Sequence, residues 1–208
     1  VIFAIDRAGV VGEDGPTHHG MFDLVYTRMV PHMRVLTPSN EAELVNALHT
    51  ALELGGPFAI RYPRGEAEGV PVPDEPLVLE EGVSRMVRDG ADVAILAFGR
   101  MVSKAEDAAE ILSLRGIEAR VVDMRWVKPL DVAAIKAAAE LPLVVTVEGG
   151  VVDGGAGEGV LGEMAKMGVA APTLVLGIDD TFVQQGAPAK LLDELELDGK
   201  SIAKAVQA

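Results

Sequence analysis

The sequence predicts two doubly wound, mostly parallel α/β sheets, on three observations. Short aliphatic runs alternate with amphipathic helical stretches along the chain. The composition is 49% hydrophobic but only 4% aromatic, with Ala, Val, Leu and Gly dominant, which suits buried parallel strands covered by helices. The alternation breaks once, at a proline-rich acidic stretch, so the 208 residues divide in two.

The opening run "VIFAI" reads as a buried strand, followed by the polar loop "GEDGPTHHGMFD" from Gly12 to Asp23. In "MFDLVYTRMV", Phe22, Val25 and Met29 fit one helical face, and Pro31 ends the helix. "RVLTP" is short and extended. In "SNEAELVNALHTALELGG", Leu44, Ala47, Leu48, Ala51 and Leu52 recur at helical spacing. Asn40 with Glu43 predicts a capping box, and Gly55, Gly56 and Pro57 a stop. "FAIRYPRG" is then a third strand. This unit spans 1–65, and the stiff, charged stretch 66–79, with three prolines, is a linker.

From 80 to 208 the alternation resumes with strand "VAILAF", a helix over Val102–Leu114, strand "IEARVVDM" and a helix over Asp131–Glu140. Strand "PLVVTVE", a glycine-rich loop, a helix around Leu161–Met167, strand "TLVLGI" and a helical C-terminus follow. Asp131 is placed to cap its helix, Pro129 marks a turn, and the single Trp126 reads as structural punctuation. Met164 and Met167 read as core filler.

Charge narrows the function. A formal net charge of −14 disfavours nucleic-acid backbones and anionic membranes as partners. No apolar run approaches the roughly 20 residues of a membrane helix. Without cysteine there is no thiolate nucleophile and no Cys-ligated metal, and a cytoplasmic setting is favoured. Residues 1–65 hold five Arg, no Lys and all four His, so chemistry is expected there. The chain starts at Val1, directly in a strand, so a fragment of a longer protein is expected.

Ligands of open parallel sheets bind outside the carboxyl ends of the strands. Arg7 and Arg64 each follow such an end, on the same rim as Asp14, His18 and His19. Arginine grips phosphate or carboxylate through paired charge-assisted hydrogen bonds. Local pairing of Arg61 and Arg64 with acids such as Asp6 and Asp23 accounts for the same residues equally well. His18 has the chemistry of a proton shuttle with Asp14 beside it, or is a solvated loop histidine. A metal site through Asp14, His18 and His19 is not expected, since no metal-binding His spacing is present. Gly157, Gly159 and Gly162 satisfy GxGxxG but begin well past their strand, so close packing at a helix start is the reading.

Taken in order, "AIDRAGVVGEDGPTHHGMFDLVY", "TPSNEAEL", "FAIRYPRG", "VDMRWVKPLD" and "GGAGEGV" resemble the C-terminal part of the 1-deoxy-D-xylulose-5-phosphate synthase family. The resemblance implies part of a transketolase-type pyrimidine-binding domain followed by a transketolase C-terminal domain. It implies a thiamine-diphosphate- and Mg²⁺-dependent transferase. The enzyme decarboxylates pyruvate and adds its two-carbon unit to glyceraldehyde 3-phosphate, serving isoprenoid, thiamine and pyridoxal synthesis.

By motif position, Arg7 and Arg64 correspond to phosphate-binding arginines, and Asp14 and His18 to active-site residues. His19 stands where some members carry Gln, and its role is left open. Where members often read Glu-Glu-Asn, this chain has Glu148-Gly149-Gly150. The cofactor and metal motifs belong to an N-terminal part of the same enzyme, so that part and a second copy, as a homodimer, are the expected partners. The 208 residues alone are expected to be inactive. A transketolase, a 2-oxo-acid dehydrogenase β-type chain and a non-catalytic oligomerisation module are the alternatives.

Overall fold

The computed structural model describes residues 1–208. β1 (Ile2–Ile5), β2 (Arg34–Leu36) and β3 (Phe58–Arg61) run parallel in the order β1-β3-β2, linked through α1 (Asp23–Met29) and α2 (Glu41–Leu54). The second sheet has the order β4-β6-β5-β8-β9, built from β4 (Arg85–Arg88), β5 (Val93–Ala97), β6 (Ala119–Asp123), β8 (Val144–Val151) and β9 (Thr173–Ile178). Only β4 is antiparallel in it. Its helices are α3 (Met101–Ser113), α4 (Val132–Ala138), α5 (Ala156–Met167), α6 (Pro188–Glu194) and α7 (Gly199–Gln207). No helix is long and apolar enough to cross a membrane.

Two strands are absent from the sequence reading. β4 is short and polar, with no aliphatic run to announce it. β7 (Trp126–Lys128), just before the turn expected at Pro129, leaves the second half of the chain and pairs antiparallel with β2, closing the first sheet. Its Trp126 is fully buried in one core with Phe58, Ile60, Leu36, Ala47 and Ala51. The two halves also share their larger cores. Val10 and Met21 pack with Ile95 and Val147, and Leu24 and Val35 with Leu96 and Val122.

The helix faces differ from the apolar periodicity. In α1, Phe22 and Met29 are exposed, whereas Asp23, Leu24 and Thr27 are buried. In α2, Leu48 and Leu52 are exposed, and Glu43, Asn46 and Thr50 lie buried beside Ala47 and Ala51. The reason is visible in the linker. Glu41 accepts hydrogen bonds from the backbone N–H groups of Glu68, Gly69 and Val70, Asn46 from Leu77 and Thr50 from Leu79. The polar stripe of α2 therefore straps 68–79 along the helix and satisfies backbone donors that have no ladder partner.

Caps agree in part. Asn40 accepts from the Glu43 N–H at 3.0 Å and Asp131 from the Ala134 N–H at 2.9 Å. Glu43 does not complete the expected box, because its carboxylate turns to Arg125 through two bonds of 2.7 and 2.8 Å. Asp123, at the end of β6, accepts from Ser39 at 2.6 Å and Arg85 at 3.1 Å. These buried acids fasten the α2 end of the first sheet to the second.

Trp126 fixes this junction by packing, because its indole N–H has no hydrogen-bond partner. Trp126→Ala is expected to cost about 3–5 kcal/mol in urea unfolding. Trp126→Phe, which removes the unpaired N–H and keeps a ring, should cost much less.

Candidate active site

The loop between β1 and α1 is closed on itself. The Gly20 N–H donates to the carbonyls of Arg7 and Gly9 at 2.9 Å, and the Gly9 N–H donates back to Gly20 at 2.9 Å. A Cβ on Gly20 would lie 2.3 Å from the Arg7 oxygen, so only glycine permits the crossing. Arg7 is in the left-handed region with φ 62°, which aims its side chain back over the loop.

There Asp14 accepts from Arg7 at 2.7 Å and also from Arg64. Both guanidiniums meet the same carboxylate oxygen, Oδ2. Two of the proposed partners on the rim, from different strand ends, are thus joined by the third. Each arginine spends one N–H on Asp14 and keeps others for a ligand. The hydrogen bond from Arg7 holds the Asp14 carboxyl below its ordinary value of 3.8, with the charges of Arg64, Arg7 and His18 acting the same way against desolvation.

His18 ends the 3-10 turn Gly15–Thr17 and is exposed. Its Nδ1 is 2.9 Å from the Thr17 hydroxyl, and Nε2 has no protein partner. His19 is different. It is buried, its Nδ1 accepts from the Val11 N–H at 3.0 Å, and its Nε2 faces the Gln184 carbonyl at 3.3 Å. A backbone N–H can only donate and a carbonyl only accept, so these contacts select the neutral Nε2–H tautomer. His19 ties the loop to the segment before α6 and is turned away from the Asp14 cluster's task of holding two arginines.

Arg61 lies beneath this rim. Its Nε reaches both Asp23 oxygens at 2.9 and 2.8 Å, and its Nη2 donates to Gly20 at 2.6 Å and Gly149 at 3.2 Å. The local pairing weighed in the sequence therefore falls to Arg61 with Asp23, while Arg64 pairs with Asp14 and not with Asp6.

The glycine-rich run departs from its expected bounds. β8 continues to Val151 and α5 begins at Ala156, not near Leu161. Gly157 meets Thr146 and Val175 side chains within 2.6 Å of where a Cβ would stand, and Gly159 meets Arg28, so these two serve close packing; Gly162 has nothing within 4 Å, and the expectation fails there. Arg28 donates to the Gly154 and Gly155 carbonyls. The Glu148 carboxylate fills the helix start, accepting from the Ala156 and Gly157 N–H groups at 2.9 and 2.7 Å. Burial raises the Glu148 pKa against those bonds. The N–H groups that would receive a phosphate at this helix start are already taken by that carboxylate.

One residue was missed by sequence reasoning. Arg100 follows the carboxyl end of β5, the same position that singled out Arg7 and Arg64, and it lines a cleft of about 390 Å³ together with Arg64.

The chain belongs to the transketolase family: residues 1–69 match the family's pyrimidine-binding domain and 82–202 its C-terminal domain. A split-gene transketolase, solved as an inactive β4 tetramer, is 33% identical and covers 100% of this chain and 65% of its own, with a TM-score of 0.86. Within the family the chain resembles 1-deoxy-D-xylulose-5-phosphate synthases. Those of Alkalilimnicola ehrlichii and Chromobacterium violaceum are 47% and 48% identical over 100% of the chain, and that of Thermomicrobium roseum 48% over 98%. The chain spans about a third of these relatives, 32% of the first and 33% of the others.

Asp23→Ala would leave the Arg61 charge, 5% exposed, without its carboxylate. A loss of about 3–5 kcal/mol is expected in urea unfolding. For Asp14, a value depressed in the folded state means that its pairing is complete above the ordinary 3.8 and is lost as pH falls through the lowered value. An NMR titration of its carboxyl carbon should show a midpoint below 3.8 that moves up in Arg7→Ala.

Proposed function

We propose that the chain is the C-terminal portion of a 1-deoxy-D-xylulose-5-phosphate synthase and carries the phosphate-side half of its active site. The observation that carries this reading is the Arg7–Asp14–Arg64 cluster at two parallel strand ends, with His18 beside it. The acceptor, glyceraldehyde 3-phosphate, presents a phosphate to the free N–H donors of both arginines. Asp14 holds the two guanidiniums at a common point before the ligand arrives, which reduces the ordering cost of binding. His18, exposed and with no protein hydrogen bond at Nε2, exchanges a proton with the acceptor carbonyl or the product hydroxyl. His19 has a splinting role and takes no part in proton transfer.

Thiamine diphosphate, when bound, supplies the decarboxylation of pyruvate and the two-carbon nucleophile. In this reading it and Mg²⁺ are held by residues outside these 208, so the chain by itself is inactive and cytoplasmic like the enzyme it serves. Self-association belongs to the same reading. Phe22, Tyr26, Met29 and Phe182 present exposed apolar surface, and the similar split-gene transketolase is a β4 tetramer. Sedimentation at varied concentration tests it.

In the full-length enzyme, Arg7→Ala and Arg64→Ala should raise KM for glyceraldehyde 3-phosphate at least about tenfold, as expected for a lost charge-assisted hydrogen bond, and leave KM for pyruvate nearly unchanged. His18→Ala should lower kcat by about 10²–10⁴-fold. Equal effects on both substrates would sink the phosphate assignment. Activity with a ketose phosphate donor in place of pyruvate would instead make the enzyme a transketolase.

A further inference from the structure

The cleft that Arg64 shares with Arg100 extends beyond the Arg7–Asp14–Arg64 cluster. It is about 390 Å³, within the roughly 300–1,000 Å³ usual for small-molecule pockets. It lies between the two sheets, with Tyr62, Arg64 and Asn40 on the first-sheet side, Arg100 on the second, and Pro188 at its border. Pro188 also packs against Gly12, so the cleft opens beside the Asp14 loop.

Arg100 is half-buried at the start of α3, makes no cap hydrogen bond with its side chain, and has no ion-pair partner. Burial lowers its pKa, and Glu68 is the acid whose charge opposes that. Glu41, also in the wall, is spent on the backbone of 68–70 and so is not available to it. Glu66 and Glu68 are exposed, where water screens them. The half-buried cation thus lines a cleft that a second arginine also lines, and its donors make no ion pair within the chain.

We infer that Arg100 is a second phosphate-binding residue, gripping the phosphate of the acceptor from the second sheet while Arg64 grips it from the first. This deepens the proposed function and rests on it for the identity of the ligand. The phosphate ester then bridges the two halves of the chain, and the enzyme prefers phosphorylated over neutral aldehydes through residues of both. Glu68, whose charge reaches Arg100 without an ion pair, opposes an incoming phosphate.

The test is titration of the 208-residue chain with glycerol 3-phosphate, with glycerol as the neutral control, followed by NMR of the arginine Nε–H signals. Arg100→Ala should weaken glycerol 3-phosphate binding about tenfold, as one lost charge-assisted hydrogen bond requires. Arg100→Lys should restore part of it, and Glu68→Gln should tighten it. In the full-length enzyme, Arg100→Ala should raise KM for glyceraldehyde 3-phosphate and not for pyruvate, with kcat preserved.

If Arg64→Ala weakens binding and Arg100→Ala does not, the inference is overturned while the proposed function stands. It is also overturned if the chain does not bind glycerol 3-phosphate, or if Arg100→Ala changes only the unfolding midpoint or amide exchange at 68–70. Arg100-dependent binding by the chain, together with a full-length protein that lacks synthase activity, would uphold the inference and remove the proposed function.

Discussion

The ion pair of Arg61 with Asp23 is the contact on which the arrangement depends. Arg61 ends β3, Asp23 begins α1, and the same guanidinium reaches the carbonyls of Gly20 in the loop and Gly149 in β8. One side chain therefore meets the first sheet, its helix, the loop and the second sheet. A buried pair of this kind gains little net stability over an apolar filling, because both charges lose water. Its value lies in geometry: four hydrogen bonds from a rigid planar group fix where the loop crosses the strand ends. Arg7 and Arg64 can share Asp14 because the segments carrying them are pinned from below.

The same economy explains how a chain of net charge −14 places acids inside itself. Asp23, Glu43, Asp123 and Glu148 are all buried, and each is matched to arginines, a hydroxyl or helix N–H groups. Each ties the element that carries it to another segment, Glu43 of α2 to Arg125 and Glu148 of β8 to the start of α5. Glu148 takes the helix start that a dinucleotide would use, and close packing against Thr146, Val175 and Arg28 explains Gly157 and Gly159 but not Gly162, which has open space beside it. With these acids internally satisfied, the arginines left at the strand ends keep donors for a ligand.

Most elements were legible, because each is set by local periodicity and turn chemistry. The parallel strands are continuous aliphatic runs, and Asn40, Asp131, Gly55 and Gly56 mark helix ends through backbone chemistry that acts over a few residues. The rim was legible for the same reason. Strand ends can be read from the sequence, and a cation just beyond one is visible there. Arg100 obeyed that rule too, but it lay outside the His- and Arg-rich first third to which the charge distribution pointed.

The sequence by itself determined the α/β class, the loop with Asp14 and His18, and the arginines flanking it, because these follow from residue type and short-range spacing. Only the tertiary structure decided which partner each polar group took. Arg61 chose Asp23, Glu43 left its cap for Arg125, His19 became a splint, and Trp126 carried a strand into the other sheet. Those outcomes depend on distances between segments 38 to 165 residues apart, as for Asp23 with Arg61 and His19 with Gln184. Local patterning sets no such distances. Packing of the shared cores brings those segments within reach, and the buried polar groups then take whichever partner satisfies them.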